Sequence, residues 1–207
     1  MSTSLSRAEL AVVVLALAIA QPTGATAASF STAPDMPNLA AVALNARAQT
    51  INGTINNFSV SLGVLEFGGF HVTVDGDASA GKSPVFKLYC PGPSACGPDP
   101  VGYVTGGATL PADSLTLNST GAGWSGGAGS TPTPSLVCST GCNLDNASAV
   151  TVASEAAGGL NALGGTWTSG GWSATSLALT APTTIRTPLQ TGETYHVDLL
   201  WTLATGP

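Results

Sequence analysis

YHVDLLWTL, Tyr195 to Leu203, is the stretch whose reading decides the fold. Tyr195, Val197, Leu199, Trp201 and Leu203 fall on every second position. In an extended chain residues i and i+2 share one side, so this row is one face of a half-buried strand. His196 lies on the opposite face, which predicts contact with solvent or a sheet edge. The same period recurs upstream. Phe70, Val72 and Val74 alternate with His71, Thr73 and Asp75, so His71 is read like His196. Leu115 and Leu117 alternate with Ser114 and Thr116, and Leu177 and Leu179 with Ser176, Ala178 and Thr180. Turn signals separate the runs at Asp75-Gly76, Ser169-Gly170-Gly171 and Thr191-Gly192. Thr166 to Trp172 reads as a hairpin tip.

No segment beyond the N-terminus carries a helical period. Val150 and Val152 favour a strand within the Ala-rich stretch Ala147–Ala157. Residues 90–102 hold four prolines, and residues 118–135 are rich in Gly, Ser, Thr and Pro. Both read as long loops that cannot lie inside a central strand. The expected fold is all-β: a β-sandwich, immunoglobulin-like or related, with sheets packed over one core.

The N-terminus reads differently. Arg7 precedes an apolar run from Leu10 to Ile19, and Ala25-Thr26-Ala27 has the small-x-small pattern of a cleavage site. That order predicts a secretory signal peptide over residues 1–27 and one mature domain over 28–207. The apolar run is shorter than the ~20 residues of a membrane span. The mature chain contains no other candidate span, so no membrane partner is expected for it.

Charge excludes further partners. The chain has 5 Lys and Arg against 11 Asp and Glu, a net charge of −6. So few cations leave no footprint for a phosphate backbone, so nucleic acid is not an expected partner. Anionic membrane surfaces are excluded on the same ground. Composition still favours a folded core, since 43% of the residues are hydrophobic.

The cysteines are Cys90, Cys96, Cys138 and Cys142. Export favours their oxidation, and three connectivities are possible. Cys90–Cys96 and Cys138–Cys142 are preferred because sequence neighbours meet first. Cys-x5-Cys and Cys-x3-Cys are poor zinc spacings. Loops this small gain only roughly 2 kcal/mol each.

Catalytic and cofactor chemistry finds little support. A Ser-His-Asp site needs a nucleophile on a special turn, and no Gly-x-Ser-x-Gly elbow occurs. Asp75 and Asp77 flank a turn glycine and read as a solvated hairpin rather than a calcium loop. Glu193 and Asp198 get the same reading. The Gly-rich segments open no helices, so they cradle no phosphate. No catalytic residue, metal or cofactor is expected.

Trp201-Thr202-Leu203, followed by Pro207, resembles the C-terminal signature of WxL-domain proteins, surface proteins of Gram-positive bacteria. Asn38 to Val60, ending INNFSV, and then Gly69 to Val74 are similar to the region of that family's first motif. Phe70 and Val72 stand there in place of Trp and Leu. The resemblance, to a WxL-like protein of actinobacterial type, implies a secreted protein of the cell surface. It implies non-covalent association with peptidoglycan or assembly with other surface proteins, and no enzymatic activity. No Leu-Pro-x-Thr-Gly sortase motif accompanies it. Two readings of Trp201 stand side by side, core packing and direct ligand contact, with core packing preferred. The alternative function is a secreted structural subunit polymerising through edge strands, like a pilin or coat protein. A secreted hydrolase is the third reading.

Overall fold

The structure is a computed structural model of the chain. It describes residues 28–43, 45–63, 68–93, 95–127, 133–157, 165–188, 190 and 192–206, together with the backbone of Glu9–Val14. Every regular element among these residues is a strand. In chain order they begin with β1 Glu9–Val14, β2 Ser29–Thr32, β3 Leu39–Ala43, β4 Gln49–Gly53, β5 Ser59–Leu62 and β6 Phe70–Gly76. Next come β7 Lys87–Cys90, β8 Gly102–Tyr103, β9 Leu115–Leu117, β10 Gly123–Gly126, β11 Ser135–Leu136 and β12 Cys142–Asn143. The last are β13 Val150–Glu155, β14 Gly165–Gly170, β15 Leu177–Ala181, β16 Thr194–Val197 and β17 Leu199–Thr205.

They form four ladders, ordered β3-β1-β16-β7-β8, β10-β14-β5-β2, β11-β13-β6-β17 and β12-β9-β15-β4. The architecture is the all-β sandwich type expected from the alternation. Side chains from all four ladders meet in one hydrophobic cluster, which includes Leu88, Val60, Val72, Leu179 and Trp201. Strand β6 shows how the pattern works: Phe70, Val72 and Val74 are fully buried, while His71, Thr73 and Asp75 are half-buried. Its antiparallel partner β17 matches it over seven residue pairs, from Leu199↔Gly76 to Thr205↔Phe70. Gly76 is required here, because a Cβ on it would lie 2.2 Å from the Pro84 carbonyl oxygen.

The run Tyr195–Leu203 is not one strand. It breaks at Asp198, and its halves join different ladders, β16 beside β7 and β17 beside β6. Asp198 N–H donates to Ser83 O at 2.9 Å, and Asp198 O accepts from Asp77 N at 2.8 Å. These bonds satisfy the backbone where the chain leaves one ladder for the next. The apolar row still points into one core, since Tyr195, Val197, Leu199 and Trp201 are all at most 1% exposed. Strands that switch sheets are a normal way to make a sandwich corner.

Val150 and Val152 do lie in a strand, β13. Thr166 to Trp172 is not a hairpin tip: most of it is β14, paired with β5 on one side and β10 on the other. The 118–135 stretch contributes edge strand β10, an element its Gly-rich composition hid. Of the expected leader, Glu9–Val14 is described as strand β1, parallel to β16 and antiparallel to β3. The rest of residues 1–27 lies outside the described residues. No helix among the described residues is long and apolar enough to cross a membrane.

Candidate functional site

The structure brings the two motif regions together inside the core. Leu203 sits opposite Val72 in the β6–β17 ladder, and Trp201 opposite Val74. Phe70 and Val72 are 0% exposed, Trp201 1% and Leu203 6%. The Trp201 ring lies 6.1 Å from that of Phe58, which in turn packs on Trp124 at 5.4 Å and Trp172 at 6.3 Å. Phe70, Val72, Trp201 and Leu203 are thus core residues. Disulfides join Cys90 to Cys96 and Cys138 to Cys142, the preferred pairing, and no free cysteine is present among the described residues.

The polar chemistry gathers instead at Asp198, where the chain switches ladders. Its carboxylate is 3% exposed. Lys82 Nζ donates to Oδ1 at 2.8 Å, and Ser83 N donates to Oδ2 at 3.1 Å. The Tyr103 hydroxyl also donates to Oδ2. His196 Nε2 stands 3.7 Å from Oδ1, beyond hydrogen-bond length. Burial alone would raise the Asp198 pKa; these donors overcome it and hold the carboxyl well below the usual range. Burial and the Asp198 contact push the Tyr103 hydroxyl far above its ordinary value. The pair is therefore a fixed phenol-to-carboxylate hydrogen bond at neutral pH.

His196 and Asp198 correct the sequence reading. His196 is 5% exposed, not a solvent-facing residue. The reason is the neighbouring aromatic side chains on the same sheet face. Tyr89 lies 4.6 Å from the imidazole and Tyr103 5.8 Å. Tyr89 and Tyr103 are cross-strand partners, with rings 5.1 Å apart and edge to face. Lys87 opposes His196 in the β7–β16 ladder and so shares that face. Both tyrosines and Lys87 are half-buried and Lys82 is exposed, so the patch has an accessible rim over a fixed polar centre. Its legible signal was the i, i+2 spacing of His196 and Asp198, which puts two ionisable groups on one side of a strand. Lys82, Tyr89 and Tyr103 join only through long-range pairing.

Other ionisable groups serve the fold. Asp145 is fully buried and accepts from Ser114 N at 3.1 Å and Leu115 N at 2.8 Å. Burial pushes its carboxyl up to about 7, against the pull of those amides. Asp77 is buried at 9% exposed, not part of a solvated hairpin, and its Oδ1 accepts from Ser79 N at 2.9 Å in an Asx turn. Glu193 is 2% exposed, not a solvated residue, and accepts from Gln190 N at 3.2 Å. With Arg186 it borders a half-open cleft of about 360 Å³ beside Leu88, Val104 and Gly107.

The Asp198 corner lacks the contacts of a nucleophilic site. Its serine, Ser83, donates its hydroxyl to Val85 O at 2.7 Å rather than to the imidazole. No group of three or more metal-ligating side chains occurs among the described residues. What the patch provides is aromatic surface, two ammonium groups and an immobile anion.

Comparison with protein-family models, with characterised proteins and with solved structures finds no match to this chain.

Proposed function

We propose that this chain is a non-enzymatic extracellular protein of the cell surface. It is held without a covalent link on cell-wall peptidoglycan or on other surface proteins. The leader, the two disulfides and the Trp201-Thr202-Leu203 ending support that setting. The observation that carries the binding role is the Tyr89–Tyr103 pair, with Lys87 beside it and Lys82 fixed on Asp198. In a chain with only 5 Lys and Arg, two of them border one aromatic patch. Peptidoglycan offers matching chemistry: sugar rings with apolar faces for tyrosine, and peptide carboxylates for ammonium groups. The buried motif residues then shape the scaffold, and the patch makes the contact.

Co-sedimentation with purified peptidoglycan tests this, with size-exclusion chromatography run in parallel. The protein should pellet with wall material and be released by concentrated salt or denaturant. The double variant Tyr89→Ala/Lys87→Ala, assayed below its own melting temperature so that it is folded, should bind at least tenfold less. A protein that stays in the supernatant at low salt and elutes as a ladder of polymers overturns the wall reading in favour of a structural subunit. Retention on wall fragments through hot detergent would reveal a covalent link instead.

A further inference from the structure

Strand β1 occupies a slot. On one side it runs parallel to β16, with Val12↔Tyr195, Val13↔His196 and Val14↔Val197. On the other it runs antiparallel to β3, with Glu9↔Ala43, Leu10↔Val42 and Val12↔Leu39. Strand β3 has no other ladder partner among the described residues. If residues 1–27 are a cleaved leader, export removes β1 and leaves two facing rows of unpaired N–H and C=O groups.

The gap does not close by a simple slide. Moving β3 onto β16 means a shift of one strand spacing, ~4.8 Å. Leu39 opposes that shift. It is 5% exposed and fills a notch over Gly53, where a Cβ would come within 2.5 Å of Leu39 Cδ2. On the other side β16 is fixed, because it is bonded to β7 and its Tyr195 and Val197 are fully buried. The mature sheet therefore keeps a groove one strand wide, flanked by two edges able to pair with added backbone.

We propose that this groove is a docking site for an extended, apolar segment of a partner polypeptide, inserted parallel to β16. The occupant in the full chain supplies the chemistry. ELAVVV is rich in β-branched residues, has no proline, and pairs along both edges. Main-chain bonds along both edges would supply affinity, as in other strand-addition complexes. The inference rests on leader removal and is independent of wall attachment.

The test uses the protein recovered after export, the full chain with its leader retained, and a synthetic peptide of residues 9–14. The exported protein should bind the peptide saturably, with slowed amide exchange in Leu39–Ala43 and Thr194–Val197. A Val13→Pro peptide should bind at least tenfold more weakly, and the full chain should not bind the peptide. Absence of peptide binding by the exported protein overturns the proposal. So does protection of both edges in the peptide-free monomer, which would mean that β3 has closed the groove. Protection gained only through self-association also overturns it, by making a second copy the occupant. None of these outcomes depends on peptidoglycan.

Discussion

Trp201→Ala separates a structural tryptophan from a binding one. The side chain is 1% exposed, so truncation returns almost its whole area to the balance. A buried tryptophan removes roughly 200 Å² from water. At about 25 cal/mol per Å² that amounts to about 5 kcal/mol. Alanine retains part of this, and Phe58, 6.1 Å away, can relax only partly into the void. A loss of about 3–5 kcal/mol follows, in line with other large-to-small core changes. For a chain of this size it corresponds to a fall of roughly 6–20 °C in melting temperature. Urea unfolding should show a lower midpoint at unchanged slope. Leu203→Ala, one step along the same face, should lose somewhat less. Peptidoglycan retention, measured on folded variants below their melting point, should be unchanged. A normal melting temperature with lost retention would refute the packing argument and make the ring a contact residue.

Four further expectations concern buried polarity and cross-links. Asp145 has a raised folded pKa, so the folded state holds its proton between about 4 and about 7 while the unfolded state releases it. Its contribution is therefore present below pH 4 and lost as pH rises to 7, by up to about 4 kcal/mol. Asp145→Asn should flatten that part of the stability–pH curve, read by melting temperature in matched buffers; an unaltered slope would contradict the assignment. Asp198 acts with the opposite sign: its lowered pKa gives stability above the ordinary carboxylate range that disappears on acidification, and Asp198→Asn should weaken this acid-side loss. His196→Ala, which empties a site between two tyrosines, should cost about 1–3 kcal/mol in urea unfolding; no change would return His196 to the surface. Intact mass should rise by four hydrogens on reduction, matching two disulfides, and a mass insensitive to reductant would exclude them.

Much of the fold was legible because burial is written at period two. Phe70, Val72 and Val74 announce β6, and Leu199, Trp201 and Leu203 announce β17. The close spacing within Cys90–Cys96 and Cys138–Cys142 likewise exposed the pairing. What alternation cannot encode is a change of neighbour. Tyr195 to Leu203 has one unbroken apolar row, yet Asp198 divides it between two ladders, because the bend leaves the inward face intact. β14 was hidden for a related reason: Trp167 and Trp172 flank small residues whose burial comes from strands on both sides. The Asp198 site was only partly visible. His196 and Asp198 sit two positions apart in the sequence, but Lys82 and Tyr103 reach them from about a hundred positions away, and nothing local marks them as partners.

The place of β17 in the sequence has a consequence for timing. Its partner β6 is made more than a hundred residues earlier, and one edge of that strand stays unpaired until Leu199–Thr205 arrives. A chain made N-terminus first thus cannot complete this ladder until β17 has emerged. Until then β6 keeps one open edge, able to pair with any other extended backbone it meets.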